Sequence, residues 1–172
     1  MLSITKVFNL VYGHRLWNQQ VPPCQCRHLH GHSGRIAISV GCSGSLVNGM
    51  VLDFNHLKRF KTCLELLDHK MILDRHDPLV PLLLKQAPYT SKQVGPFEVL
   101  ETEQDGAFAE VIDGLVLMDN EPTSENLSIS LMTWLNGWLP SGLFCVAVRW
   151  EETESSSAEY IVTGKQIGRA HV

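Results

Sequence analysis

The residues best suited to chemistry are three histidines and a cysteine near the start of the chain. His14, His30 and His32 lie at the ends of two segments that alternate like β-strands, and Cys26 lies four residues before His30. Side chains alternate between the two faces of a strand, so His30 and His32 share one face. If the two strands pair antiparallel, His14 lies beside both. Three neutral imidazoles with one open position are typical of a catalytic zinc site.

An overlapping set of residues suggests a different metal site. Cys24, Cys26, His28 and His30 would together form a closed structural zinc site. Cys-x-Cys is a less usual ligand spacing than Cys-x-x-Cys, so the three-histidine site is the favoured interpretation. A histidine can also be a hydrogen-bonded core or surface group with no ligand.

Two further groups are suited to proton transfer. Beside a metal ion and Arg27, the Cys26 thiol is expected to have a lowered pKa and to supply a thiolate. In the pair Asp68-His69 the carboxylate can orient the imidazole and stabilise its charged form. The simpler alternatives are a buried, inert cysteine and a pair that caps a helix end.

A carboxylate also stands at the end of an apolar strand face. Glu152 follows Val148 and Trp150 on the same face of a predicted strand. Such a carboxylate can accept two N–H donors from a guanidine-like ring edge. The simpler alternative is solvent exposure at the strand end.

The elements that would position these residues follow from hydrophobic periodicity. Asp53 and Thr123 are predicted to cap two amphipathic helices. The predicted strands cover 4–14, 32–42, 114–118, 144–152 and 158–163, and the helices cover 54–67 and 123–139. One domain over 1–164 is expected, with a variable excursion at about 74–112. Residues 165–172 continue no pattern and resemble a translated sequencing adapter, so they are excluded from site reasoning.

Composition narrows the class of protein. The chain has 172 residues, 44% hydrophobic and 19% charged, with a net charge of −4. Residues 1–75 hold nine Lys/Arg and four Asp/Glu, so an anionic substrate is plausible there, but no basic stripe indicates nucleic-acid binding. Five irregularly spaced cysteines argue against a disulfide framework and favour a cytoplasmic location. Neither a signal peptide nor a membrane-spanning stretch is predicted.

A series of short motifs, in order along the chain, carries a resemblance to a known family. The motifs are His14-Arg15-Leu16, Cys26-x-x-x-His30-Gly31-His32, Gly49-Met50-Val51-Leu52-Asp53-Phe54, Leu67-Asp68-His69-Lys70, Pro122-Thr123-Ser124-Glu125-Asn126, and Glu152-Thr153 with Tyr160. Each motif is weak by itself, but together they are specific. From about residue 4 to 164 the chain resembles the 6-pyruvoyl/6-carboxytetrahydropterin synthase family.

The resemblance implies an α+β tunnelling fold (T-fold), an antiparallel sheet with two helices on one face. It also implies a homohexamer of stacked trimers with active sites between subunits. By matching position, His14, His30 and His32 would bind zinc. Cys26, Asp68 and His69 would be catalytic. Glu152, Thr123 and Ser124 would hold the pterin, and Arg15, Arg27 and Lys70 are candidates for contacting a triphosphate.

Spacing within one motif selects a branch of the family. The three residues between Cys26 and His30 resemble the bacterial 6-carboxytetrahydropterin synthases of the queuosine (7-deazaguanine) pathway. These zinc-dependent lyases convert 7,8-dihydroneopterin triphosphate to 6-carboxytetrahydropterin, acetaldehyde and triphosphate. The expected partners are therefore this small-molecule substrate and further copies of the chain, without nucleic acid or membrane. The alternatives are a 6-pyruvoyltetrahydropterin synthase and a non-catalytic zinc- or pterin-binding protein of the same fold.

Overall fold

The architecture is a mixed eight-stranded sheet with helices on both faces. The structure is a computed structural model, and it describes residues 2–20 and 24–162. The elements follow one another as β1 (Ser3–His14), a 3-10 turn (Gln25–Arg27), β2 (His30–Cys42), α1 (Phe54–Leu57), α2 (Arg59–Glu65), β3 (Lys70–Asp74), α3 (Val80–Leu83), β4 (Thr90–Val94), β5 (Phe97–Glu101), α4 (Ala107–Asp113), β6 (Leu115–Met118), α5 (Ser124–Asn136), β7 (Leu143–Thr153) and β8 (Ser156–Ile161).

The first two strands form a long antiparallel ladder, as their alternation predicts. The ladder runs from Ser3 opposite Gly41 to His14 opposite His30. Tyr12 lies opposite His32 in the same ladder. The predicted meeting of the end of one strand with the start of the next is confirmed.

The sheet is mixed because one central strand runs parallel to both of its neighbours. The strand order is β4-β5-β6-β3-β1-β2-β7-β8. β3 pairs parallel with β1 and with β6, while the other neighbouring pairs are antiparallel. Parallel neighbours require a crossover connection, and β2 with α1 and α2 supplies the one from β1 to β3. The predicted α+β class is confirmed, but the prediction of a wholly antiparallel sheet is wrong.

Both predicted helix caps are present, whereas the first helix is shorter than predicted. The Asp53 carboxylate accepts a 2.7 Å hydrogen bond from the Asn55 N–H, and the Thr123 hydroxyl accepts one of 3.2 Å from the Asn126 N–H. The helix predicted over 54–67 is divided at Lys58 into α1 and α2. The i→i−3 hydrogen bond from the Lys61 N–H to the Lys58 carbonyl explains this, because such bonds tighten the helix locally.

Apolar side chains pack on both faces of the sheet. The larger core lies between the sheet and helices α2 and α5, and it contains Ile72 and Val116. The neighbouring residues Leu73 and Leu117 point the other way, into a second core with side chains from α3 and α4. The variable excursion therefore extends the sheet by two strands and covers its second face. The predicted arrangement of two helices on one face holds for the first core, but helices α3 and α4 also cover the second face.

The predicted tail at 165–172 lies outside the described residues. Among the described helices, none is long and apolar enough to span a membrane.

Candidate metal centre and active site

Three imidazole nitrogens converge at the open end of the β1–β2 ladder. The Nε2 atom of His14 lies 3.1 Å from Nε2 of His30 and 3.1 Å from Nε2 of His32. All three ligand atoms lie within 4.8 Å of one another. In a tetrahedral site with zinc–nitrogen bonds of ~2.0–2.1 Å, two ligand nitrogens are about 3.3 Å apart. The spacing of the three rings therefore fits a zinc ion.

Hydrogen bonds at the far side of two rings leave their Nε2 atoms free to bind a metal. His14 Nδ1 lies 2.7 Å from the Pro122 carbonyl oxygen, and His30 Nδ1 lies 2.8 Å from the His28 carbonyl oxygen. A carbonyl oxygen can only accept, so each Nδ1 donates, and in a neutral ring Nε2 keeps its lone pair. Burial lowers the pKa of His14 and of His32, which favours neutral rings.

The alternative structural zinc site does not form. His30 belongs to the histidine trio, while the His28 side chain points to solvent. Within 2–20 and 24–162, the trio is the sole set of three or more histidine, cysteine or acidic side chains with metal-binding geometry. Cys24 and Cys26 therefore do not complete a second centre.

Cys26 precedes the metal ligand His30 by four residues, and the protein's own groups do not lower the pKa of its thiol. It stands in the 3-10 turn, and its carbonyl oxygen accepts a 2.8 Å hydrogen bond from the Leu16 N–H. The pKa of the Cys26 thiol is raised, first by its hydrogen bond with Cys24 and then by burial. The predicted lowering of this pKa depends on a zinc ion as well as on Arg27, so it stays a prediction. A nearby divalent cation acts in the opposite direction, because it stabilises the thiolate.

Asp68 and His69 form a bonded pair on a constrained backbone. Asp68 Oδ2 lies 3.0 Å from His69 Nδ1, and Asp68 Oδ1 accepts a 3.0 Å hydrogen bond from the Val11 N–H. This second bond is the main cause of the lowered pKa of Asp68. His69 has a φ of 58°, and its N–H donates to the Val11 carbonyl at 2.6 Å. Left-handed backbone in a residue with a side chain is strained, and such strain clusters at functional sites.

The predicted catalytic residues are not part of the close set of metal-ligand atoms. None of Cys26, Asp68 and His69 joins the set of mutually close ligand atoms formed by the trio. His69 borders an apolar cavity of about 550 Å³ that extends to Leu29 and His30. The structure therefore pairs Asp68 with His69 and places His69 on a cavity shared with the metal ligand His30, while the catalytic roles of Cys26, Asp68 and His69 stay predictions.

The three predicted pterin-binding residues share one polar pocket. Thr123, Ser124 and Glu152 line a pocket of about 400 Å³ together with Leu16 and Gln19. Because Glu152 Oε1 lies 3.8 Å from His14 Nε2, the pocket opens beside the trio. Leu16 and Gln19 belong to a loop without periodicity, so no sequence pattern indicated that they line it.

Tyr12 was not predicted as a site residue, but its ring packs against two rings of the trio. Its ring centroid lies 5.4 Å from that of His14 and 5.6 Å from that of His32. The Trp150 Nε1–H donates a 2.8 Å hydrogen bond to the Tyr12 hydroxyl. Burial raises the pKa of Tyr12 far above its ordinary value, so the hydroxyl stays neutral. Its position two residues before His14, on the same strand face, was the available signal.

The candidate triphosphate contacts have different surroundings. Arg15 Nε lies 2.7 Å from the buried carboxylate of Asp77, so its charge is already paired. The Lys70 ammonium donates to the Asp113 carbonyl. Arg27 is exposed on the 3-10 turn. Arg15 therefore has a structural partner within its own chain.

Comparison with known proteins identifies the class of protein that this fold and site define. Residues 3–162 match the family described as 6-pyruvoyl tetrahydropterin synthase, and the chain belongs to this family. A 6-carboxy-5,6,7,8-tetrahydropterin synthase of Aquifex aeolicus (strain VF5) is 33% identical over an alignment of 116 residues, which covers 59% of this chain and 72% of that protein.

Solved structures share the fold. An uncharacterized protein of Wolinella succinogenes superposes with a TM-score of 0.82 at 32% identity, covering 94% of this chain and 98% of that one. The 6-pyruvoyl tetrahydropterin synthase of Caenorhabditis elegans superposes with a TM-score of 0.56 at 19% identity, covering 94% and 96%. At that identity the second likeness concerns the fold alone, and it confirms the predicted T-fold.

Proposed function

We propose that this chain is a zinc-dependent 6-carboxytetrahydropterin synthase of queuosine (7-deazaguanine) biosynthesis. It would convert 7,8-dihydroneopterin triphosphate to 6-carboxytetrahydropterin, acetaldehyde and triphosphate. The observation that carries the proposal is the convergence of three Nε2 atoms beside a pocket that contains Glu152. Family membership supports a pterin substrate, and the name of the Aquifex aeolicus relative supports this product.

The pocket residues would hold and orient the pterin. Glu152 can accept two N–H bonds from the amino-pyrimidinone edge of the ring. Thr123 already accepts a hydrogen bond from the Asn126 N–H, but its hydroxyl hydrogen remains available for donation to the ring. Ser124 begins helix α5, where backbone N–H groups favour an acceptor on the substrate.

The metal site would act on the substrate's side chain. His14, His30 and His32 would hold zinc, which when bound supplies Lewis-acid polarisation of the side-chain hydroxyls. Cys26 would then remove a proton from the adjacent carbon, and His69, oriented by Asp68, would move a hydroxyl proton. Loss of triphosphate and cleavage of the carbon–carbon bond would complete the lyase reaction.

Assembly would complete the active site. Because neither Asp68 nor His69 belongs to the close set of ligand atoms that the trio forms, we propose that they serve the site of a neighbouring subunit in a hexamer of stacked trimers. All five cysteines are unpaired, which supports the proposed reducing, cytoplasmic location.

Product analysis tests this function. The purified protein is incubated with 7,8-dihydroneopterin triphosphate, with and without a chelator, and the pterin is analysed by mass spectrometry while acetaldehyde is assayed. We expect 6-carboxytetrahydropterin and acetaldehyde, both abolished by the chelator and restored by zinc. A 6-pyruvoyl product without acetaldehyde would overturn the proposal in favour of a 6-pyruvoyltetrahydropterin synthase. Tight pterin binding without turnover would instead indicate a non-catalytic protein.

A further inference from the structure

The loop that follows the first metal ligand is held by three carboxylates. Arg15 Nε lies 2.7 Å from Asp77 Oδ2, and the Trp17 Nε1–H donates a 3.0 Å hydrogen bond to Asp74 Oδ2. The Asn18 N–H donates a 2.8 Å hydrogen bond to Glu121 Oε1. These contacts restrain residues 15–18 of the loop.

The Arg15–Asp77 contact is the most buried of the three. Asp77 is fully inaccessible to solvent, whereas Arg15 is partly exposed. Among the described residues, Arg15 Nε and Asp77 Oδ2 have no hydrogen-bond partner beyond their mutual ion pair. The other Asp77 oxygen accepts a 2.8 Å hydrogen bond from the Leu79 N–H. Because a buried charge without its partner is strongly unfavourable, this ion pair constrains the position of Arg15.

The same loop connects the metal site with the cysteine. Arg15 directly follows His14, and the next residue, Leu16, donates its N–H to the Cys26 carbonyl oxygen at 2.8 Å. Leu16 is also part of the pocket that contains Glu152. A shift of the loop would therefore move the backbone of Cys26 relative to the trio.

We propose that Asp77 is a positioning residue that sets the placement of Cys26 relative to the three-histidine site. Asp77 holds Arg15, the Arg15 backbone places Leu16, and Leu16 binds the Cys26 carbonyl. The catalytic meaning of this placement rests on the proposed function, but the placement itself does not. Displacement of a reacting group by about 1 Å can lower a rate by about 100-fold, even when the mutation lies far from the chemistry.

The test compares Asp77→Asn and Arg15→Lys with wild type and with Asp119→Asn. Asp119 makes a matched contact, because its carboxylate lies 2.5 Å from Arg75 Nε, but it is exposed and outside the loop. Arg15→Lys keeps the charge and loses the guanidinium geometry, so it serves if Asp77→Asn fails to fold. Folding is checked by thermal unfolding.

Three measurements are made on each folded variant in the metal-loaded form. They are zinc content, the rate at which iodoacetamide alkylates Cys26 as mapped by mass spectrometry, and kcat and KM with 7,8-dihydroneopterin triphosphate. We expect unchanged zinc content, a Cys26 alkylation rate changed by at least about threefold, and kcat lowered about 10- to 100-fold with KM within about twofold. Asp119→Asn should match wild type.

Two outcomes would overturn the proposal. One is a wild-type Cys26 alkylation rate in both folded variants. The other is loss of zinc in step with kcat, which would mean that Asp77 supports the metal ligands rather than the cysteine. If the wild-type protein lacks turnover, the proposed function fails, while zinc content and alkylation still decide the role of Asp77.

Discussion

Nδ1 of His14 and the carbonyl oxygen of Pro122 lie 2.7 Å apart. This hydrogen bond joins the end of β1 to the segment that begins helix α5. It orients the His14 ring and keeps its proton on Nδ1, so Nε2 faces His30 and His32 as an acceptor. The same bond places the pocket at the start of α5 beside the trio.

Removal of one ring should greatly weaken metal binding. His32→Ala leaves two imidazoles, and we expect zinc affinity to fall by more than the ~10- to 100-fold that follows loss of an outer-shell partner. Cys24→Ser should retain the metal, since Cys24 is outside the trio, as should His56→Ala on the exposed face of α1. Zinc titration with a competing chelator measures this. Loss of metal in Cys24→Ser would restore the cysteine-based alternative.

The Asp68 charge should matter for rate more than for stability. In Asp68→Asn the amide oxygen can still accept from the Val11 N–H, but it no longer stabilises a charged His69. We expect kcat to fall on the order of 100-fold while Tm changes little. Steady-state kinetics and thermal unfolding check this against Asp105→Asn, an exposed position. Equal kcat in the two variants would remove Asp68 from the mechanism.

The two buried thiols should react more slowly than the partly exposed thiol of Cys42. Burial raises the pKa of Cys63 to about 11 and that of Cys145 to about 12. At pH 8 their thiolate fraction is on the order of one in a thousand or less, so both should resist alkylation in the folded protein. Cys42 is partly exposed and should react. Peptide mapping after iodoacetamide treatment, before and after denaturation, checks the order; fast labelling of Cys145 in the folded state would contradict it.

The Tyr12 hydroxyl should contribute to the stability of the folded protein. Tyr12→Phe removes the acceptor of the buried Trp150 Nε1–H, and an unsatisfied buried donor costs about 1–3 kcal/mol. Urea unfolding should show this loss with unchanged zinc content. Tyr89→Phe, at an exposed tyrosine, should change the free energy of unfolding by less than about 0.5 kcal/mol. Similar values for both variants would mean that the Trp150 bond adds nothing.

Ionisation of Glu121 should lower the free energy of unfolding as the pH rises toward neutrality. Burial raises its pKa, and the negative charges of Asp74 and Asp77 act in the same direction, although the Asn18 N–H opposes them. When folding raises the pKa of a carboxyl, its contribution to the free energy of unfolding is fully present below its ordinary pKa. This contribution is lost as the pH rises through the raised pKa. Glu121→Gln should therefore gain stability relative to wild type between pH 4 and pH 7. Urea unfolding across that range measures the difference, and a constant difference would refute the role of this charge.

Local patterns predicted those parts of the site that depend on neighbouring residues. Strand alternation placed His30 and His32 on one face and brought His14 to them, because an antiparallel ladder has a fixed geometry. The caps Asp53 and Thr123 followed from side-chain chemistry at single positions. These features need no knowledge of distant contacts.

Features that depend on distant contacts were not predictable in this way. Strand β3 shows no alternation, because Ile72 and Leu73 enter cores on opposite faces of the sheet. The helix α4 is too short for a clear period. The ion pair between Arg15 and Asp77 joins residues far apart in the chain, so only the folded structure reveals it.

The turn at 74–77 has a consequence for how the segment between β3 and β6 can change in length. Asp74 and Asp77 both hold the loop after His14, whereas β4 and β5 lie at the far end of the sheet order. Insertions and deletions beyond Val80 should therefore leave the metal centre in place, while a deletion that removes the turn should disturb it. The chain between β3 and β6 should therefore tolerate changes in length only after the turn that carries Asp74 and Asp77.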